Sequence, residues 1–427
     1  MNIYKFRHPI ISMRKILVII DGLGDTAHDK FKGKTPLEYA DMPNLDMISR
    51  KSRLGFMYPV NEDYAPESDT AIVSILGNNF DMSERAEFEA LGAGIKFKRG
   101  DLVLRANFGT VEDLKSRKMV DRRAGRTLTT NEAKQLAKAL NEKINLPVKF
   151  QFFPTVQHRG ILVFYGGFSD NITNTDTYVH EKGKIWIKNN FDWSKPLDDD
   201  ENSEFATNLV NAFVDNAYKV LNEHPVNKIR IKRGLLPANI VLTRDAGVEM
   251  PKLNLFRKSM AIVTMPLEKG IAKASGMEVF SLDYPEMKNY DVYENLHEGL
   301  EKLSEFAIKT LKKKKDDYNF CYVHFKETDV PGHDNKPFEK KIFLELLDKK
   351  FFAPLKEYIE KSKIKLIVTG DHSTPCKMKT HTSDPVPVLL YNPEEKGDDL
   401  TFGETNSRKG SLGKIYGKNI LKKTDFV

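Results

Sequence analysis

The chain has 427 residues, with Lys plus Arg 67 against Asp plus Glu 60, a formal net charge of +7. At roughly 100 to 200 residues per domain, this length supports two or three domains with a sizeable core and excludes a peptide hormone or an isolated motif. The basic excess is not histone-like; it fits weak attraction to polyanions and a basic site for a small anionic substrate equally well. Two cysteines, Cys321 and Cys376, exclude a disulfide framework and a four-thiolate metal site and suit a reducing cytoplasm.

The first apolar run, Ile16 to Ile20, stops at Asp21 and is too short for a signal peptide or a membrane span. Met13 reads as an alternative start, which makes residues 1–12 a dispensable extension. The run itself is β-rich and continuously apolar, as a strand covered on both faces is, and it leads into Asp21-Gly-Leu-Gly-Asp25. Further on, Ser68 precedes the helix-like Ala71 to Leu76. Two readings of it stand open. It is an N-cap whose hydroxyl accepts a backbone N–H, or a nucleophile at a helix start that also holds phosphate.

Residues 85–250 change character. Val103–Phe108 and Gly160–Tyr165 read as strands, Asn131–Ile144 has helical apolar spacing, and the polar stretch 166–203 reads as loops or a hairpin around Lys184–Lys188. This predicts an inserted α+β domain over 85–250, with residues 1–84 and 251–427 forming one discontinuous α/β core. The lysine run 312–315 reads as a solvated helix end, since no aromatics interleave with it as nucleic-acid binding requires.

Near the C-terminus the strand grammar of residues 16–25 recurs twice. Phe320–Val323 runs into His324-Phe-Lys-Glu-Thr-Asp329, and Leu366–Thr369 runs into Gly370-Asp-His372. Strand ends of this kind are where open α/β sheets bind ligands, so carboxylates from both chain ends are expected to converge. Asp329-Val-Pro-Gly-His333 sets a carboxylate and an imidazole four residues apart, with Pro and Gly expected to make a tight turn. Asp371, His372 and His381 add further donors. Oxygen and nitrogen without thiolate suit Mn²⁺ or Zn²⁺, with Mg²⁺ a third candidate.

Taken together, Asp21-Gly-Leu-Gly-Asp25, Ser68-Asp-Thr-Ala71, Leu91-Gly-Ala-Gly94, Arg105-Ala-Asn-Phe108, Asp121-Arg-Arg-Ala-Gly-Arg126, Gly332-His-Asp334 and Gly370-Asp-His-Ser-Thr-Pro-Cys376 with His381 carry a resemblance. Over nearly the whole chain and in the same order, they resemble the archaeal-type cofactor-independent phosphoglycerate mutases of the alkaline phosphatase superfamily. The resemblance implies a mainly parallel sheet flanked by helices, with a smaller inserted domain. It implies two divalent metals, one held by Asp329, His333 and His381, the other by Asp21, Asp371, His372 and Ser68. Ser68 would be the nucleophile, and Lys326 would offset phosphoryl charge. Arg105, Arg122, Arg123, Arg126, His158 and Arg159 would grip the substrate, since Arg forks match carboxylate and phosphate.

The implied reaction interconverts 3-phosphoglycerate and 2-phosphoglycerate through a phosphoserine, without bisphosphoglycerate, in the cytoplasm. A phosphatase or other phosphomutase on the same core is the alternative. The only expected partner is a small molecule, with no nucleic acid and no membrane; oligomeric state stays open. Three places depart from the family pattern. Asn78-Asn-Phe80 replaces a Tyr-Asp-Pro-like turn, Asp245 stands where Gly is usual, and residues 281–293 lack a Gly-Ala-Thr-Gly segment.

Overall fold

In a computed structural model the described residues are 14–82, 85–181, 184–285 and 291–426. The extension 1–12 and part of the 281–293 departure lie outside them. A sheet of 8 strands runs in the order Glu278–Phe280, Ser259–Ile262, Phe320–Phe325, Lys15–Ile20, Lys365–Thr369, Val386–Tyr391, Ser52–Tyr58, Gly413–Tyr416. Neighbours are parallel except around Val386–Tyr391, which is antiparallel to both sides. The chain is therefore α/β with a mainly parallel sheet flanked by helices, as expected.

Lys15–Ile20 shows why the sheet forms at its centre. Ile16, Val18 and Ile20 enter one apolar cluster and Leu17 and Ile19 the other, on the opposite face. A continuous apolar run is what a strand buried on both faces requires, and each such side chain contributes roughly 1.5 to 3 kcal/mol. Phe320–Phe325 and Lys365–Thr369 pair in parallel with it on either side. Their C-terminal ends, with the loops that carry Asp21, Lys326, Asp329, Asp371 and His372, therefore point the same way.

A second sheet of 5 strands is antiparallel in every pair and includes Leu102–Val111, Phe150–Pro154, Arg159–Phe164 and Ile240–Gly247. The helices Thr130–Lys143 and Glu201–Asn222 share an apolar cluster with it. A hairpin pairs Tyr178–Glu181 with Lys184–Ile187. The link to the large sheet is the helix Arg85–Gly92, which crosses Pro266–Ala274 at backbone contact. A Cβ on Gly92 would meet the Pro266 carbonyl oxygen at 1.7 Å, so only glycine permits the approach. Lys312 and Lys313 end the helix Val292–Lys313, the solvated end expected for that run.

Two local expectations are corrected. Asp329–His333 is a single helical turn and not a tight turn: Pro331 falls in its first turn, where proline is tolerated, and the four-residue spacing puts both ligands on one helix face. Ser68 is the first residue of the helix Ser68–Ile75, and Glu67 holds the N-cap position, so the N-cap reading of the serine does not apply.

Candidate active site

Asp21 follows the central strand through a sharp bend at Gly22, whose φ of +61° lies in the left-handed region. A Cβ there would stand 2.8 Å from both Asp329 Oδ1 and Thr374 Oγ1. Glycine thus lets the Asp21 loop press against the other ligand-bearing segments. Two triads result, Asp21–Asp371–His372 and Asp329–His333–His381, each with ligand atoms within 4.8 Å of one another. They adjoin, since the His372 and His381 rings stack with centroids 3.7 Å apart.

The hydrogen bonds orient all three imidazoles. His333 Nδ1 lies 3.0 Å from the Lys379 carbonyl and His381 Nδ1 2.9 Å from that of Pro66, and carbonyls only accept. Thr374 Oγ1 donates to Asp329 Oδ1 at 2.8 Å, so at 3.1 Å it accepts from His372 Nδ1. Every Nε2 is therefore left to face inward. His372 Nε2 meets Asp21 Oδ1 at 3.2 Å, Asp371 Oδ2 at 3.4 Å and Ser68 Oγ at 3.3 Å. His333 and His381 aim at Asp329 at 3.3 and 3.6 Å. Ring nitrogens turned toward carboxylates, with the far ring nitrogen fixed by an outer acceptor, are the arrangement of metal-ligating histidines. The residues expected for each metal fit a divalent cation.

Titration follows from this crowding. Burial and the neighbouring Asp21 carboxylate push Asp371 up to about 7. Burial opposes a charge on His381, but Glu67 and Asp329 outweigh it and push the imidazole up to about 9. Burial and His381 hold His372 down to about 3. Burial likewise works against Lys326, yet Asp21 and Glu268 keep it above the usual lysine range, as an ammonium. A proton therefore stands in for a cation at His381 below about pH 9 and at Asp371 below about pH 7. Ligands bind metal only when deprotonated, so Mn²⁺ uptake by the metal-free chain is expected to displace protons, and more of them near pH 6 than near pH 8. Calorimetry in buffers of different ionisation enthalpy measures this. A proton count that does not change with pH would refute it.

Ser68 is buried where the triads meet. Its Oγ accepts from Lys326 Nζ at 3.2 Å and faces His372. Lys326 in turn pairs with Asp21 and, at 3.2 Å, with Glu268. Glu268 and His324 were not singled out in the sequence. Yet Glu268 lies just past the apolar strand Ser259–Ile262, the same strand-then-polar pattern that marks Asp21, Asp329 and Asp371.

A cavity of about 210 Å³ opens onto Ser68, Lys326, Asp329, His333 and His381. All six expected substrate-gripping residues line it: Arg105, Arg122, Arg123, Arg126, His158 and Arg159. They are not equivalent. Arg122 is held in a two-pronged pair with buried Asp176, both contacts at 2.6 Å. Arg105 pairs with Glu89 at 2.8 Å and Asp245 at 2.7 Å. Arg126 reaches across to Asp334, beside His333, at 2.8 and 3.0 Å. Among the described residues Arg123 and Arg159 make no ion pair, although Glu89 and Glu268 lie near enough to Arg159 to offset part of its charge. Burial, together with Arg122 and Arg126, pushes Arg123 down to about 9, the mark of a cation short of an anion. The same surroundings keep the buried His158 neutral, with its imidazole well below the usual range.

The departure at Asp245 has a physical content. Its φ of +52° is left-handed, the region that favours the glycine expected there, and its carboxylate takes Arg105 and approaches Arg244 at 3.7 Å. Asn78 is buried and accepts the Asn254 amide at 2.8 Å, closing the turn after the Ser68 helix.

Residues 49–227 match the family model described as 2,3-bisphosphoglycerate-independent phosphoglycerate mutase. The Thermococcus kodakarensis protein of that name is 36% identical over 416 residues, covering 95% of each chain. The Archaeoglobus fulgidus protein named 2,3-bisphosphoglycerate-independent phosphoglycerate mutase 1 is 38% identical over 424 residues, 96% of each. The chain belongs to this mutase family. Among solved structures, a Pyrococcus horikoshii protein matches with a TM-score of 0.74 at 28% identity, covering 98% of this chain and 99% of that one. The cofactor-independent phosphoglycerate mutase of Thermoplasma acidophilum matches with 0.58 at 28%, covering 97% and 99%. Both agree with the mixed α/β fold, and the second also with the family membership. No helix among the described residues is long and apolar enough to cross a membrane.

Proposed function

We propose that the chain interconverts 3-phosphoglycerate and 2-phosphoglycerate without bisphosphoglycerate, through a phosphoryl group parked on Ser68. The carrying observation is Ser68 Oγ itself, at a helix start, 3.2 Å from an ammonium and facing two cation-shaped triads, with an arginine wall across the cavity. Asp329, His333 and His381 would hold one divalent ion, and Asp21, Asp371, His372 and Ser68 the other. Mn²⁺ or Zn²⁺ suits these donors best, with Mg²⁺ a third candidate. When bound, such ions make the serine hydroxyl more acidic and offset charge on phosphoryl oxygens.

This chain's residues do the rest. Ser68 attacks phosphorus, the bond from phosphorus to the glycerate oxygen breaks, and the serine proton ends on that oxygen. Lys326 donates to the transferring group, and the free amides of the first turn from Ser68 face it as well. Glycerate then turns within the cavity and its other hydroxyl takes the phosphoryl group back, which regenerates Ser68. In this reading residues 85–250 cage the glycerate and the remainder performs the transfer. Two free, buried thiols, Cys321 and Cys376, suit the cytoplasm.

The test is a coupled enolase assay from 3-phosphoglycerate, with and without added bisphosphoglycerate. Equal rates are expected, and free phosphate as the main product would favour the phosphatase reading. Arg123 and Arg159, the two of these arginines that make no ion pair, carry the caging role. Their joint replacement by Ala is expected to lower mutase activity at least about tenfold, since charge-assisted bonds contribute about 1.5 to 3 kcal/mol each. Free phosphate released per 2-phosphoglycerate formed should rise. An unchanged ratio would remove these arginines from the cage.

A further inference from the structure

Behind the site, out of contact with the cavity, lies a second buried group of donors, Asp25, His28 and Cys376. Its composition resembles a metal site, but its cation is already present: the fully buried Lys340 ammonium stands 2.9 Å from Asp25 Oδ2. The other two protons of that ammonium are also placed. Lys340 Nζ donates to the Gly24 carbonyl at 3.2 Å and to the Thr374 carbonyl at 3.1 Å. Asp25 in turn accepts the Cys376 amide at 3.2 Å, and the Thr374 amide donates to the Gly24 carbonyl at 3.0 Å.

These bonds join three stretches of chain. Gly24 and Asp25 belong to the loop that delivers Asp21. Thr374 and Cys376 belong to the loop that delivers Asp371 and His372. Lys340 sits on the helix Pro337–Leu347, just beyond the turn that delivers Asp329 and His333. An ammonium has three donors, and here each is used on a different acceptor in a fully buried site, where such bonds are strong and direction-specific.

We propose that Lys340 is a positioning residue that holds the ligand-bearing loops in register, so that the metal sites are formed before the ions arrive. The proposal rests on the two-metal reading above. Outer groups that orient metal ligands typically change affinity by about 10- to 100-fold when removed. The arginine wall is untouched by Lys340, so substrate affinity should not follow.

The experiment is a calorimetric Mn²⁺ titration of the metal-free chain and of Lys340→Met, with folding checked by circular dichroism. Since Lys340→Met leaves a bare buried carboxylate, the paired variant Lys340→Met/Asp25→Asn, which leaves no uncompensated charge, is measured beside it. Expected is a Kd for Mn²⁺ raised at least about tenfold in whichever variant folds, with a matching rise in the Mn²⁺ needed for half-maximal activity. The KM for 3-phosphoglycerate measured at saturating Mn²⁺ should stay within about twofold. A folded variant with lower thermal stability but wild-type Mn²⁺ affinity would overturn the positioning role, as would failure of both variants to fold. Wild-type chain that takes up no Mn²⁺ would instead sink the metal reading, and the proposal with it.

Discussion

Replacing Ser68 by Ala is expected to leave a folded protein whose mutase activity is lower by at least about a thousandfold, the scale on which activated nucleophiles matter. The argument is geometric. Ser68 is the first residue of its helix and Glu67 occupies the cap position, so the hydroxyl does not satisfy a backbone amide. Its partners are Lys326 at 3.2 Å and His372 at 3.3 Å, both groups to which the proposed reaction gives a role. Alanine suits the helix, so the change in stability should stay within about 1 kcal/mol. Loss of rate and loss of fold are therefore separable by thermal unfolding. A Ser68→Ala protein that retained even a tenth of the wild-type rate would end the nucleophile assignment.

The second large effect concerns the ions. Removing divalent metal with a chelator is expected to reduce mutase activity to background, and Mn²⁺ is expected to restore it. Asp21 and Asp371 are fully buried, half-buried Asp329 converges with them, and His372 and His381 are buried beside them; so much negative charge out of water is costly unless it is paired. In the bare chain Lys326 and the proton on His381 offset part of it. Divalent ions would offset the rest and should also raise the unfolding temperature, because a ligand that binds only the native state stabilises it. Full activity in a preparation shown by elemental analysis to lack metal would refute the two-ion site.

Much of this site was legible in the sequence because the loops that carry Asp21, Asp329 and Asp371 follow strands that signal themselves. Ile16–Ile20, Phe320–Val323 and Leu366–Val368 are apolar without interruption, and the polar residues that follow each run fall at the same sheet edge. The family motifs then gave roles to residues that spacing alone could not rank. Two local features were not legible. Whether Ser68 capped its helix or opened it differs by one residue, within the uncertainty of any helix boundary. Asp329–His333 suggested a tight turn because Pro and Gly stand side by side, but one helical turn accepts both and aims the ligands better.

The arginines mark the limit of sequence reading. Six candidates, five arginines and His158, lay within residues 105–159 and nothing in their spacing separated them. Their differences come from tertiary partners: Asp176 for Arg122, Asp245 for Arg105 and, 208 residues away, Asp334 for Arg126. Only once those carboxylates are placed do Arg123 and Arg159 stand out as cations open to an anion. Lys340 is a similar case. In the sequence it is one lysine among many on an amphipathic helix; in the fold it is fully buried and bonded to both neighbouring loops.

The central claim is that the phosphoryl group passes through Ser68 while glycerate stays in the cavity. The most direct measurement is to quench the Mn²⁺-loaded chain in acid during turnover of 3-phosphoglycerate and weigh the peptide that contains Ser68. The account predicts a fraction of that peptide heavier by one phosphoryl group, located on Ser68 and absent from the Ser68→Ala protein. An active enzyme whose Ser68 peptide is never phosphorylated, or whose phosphoryl group sits on another residue, would contradict it.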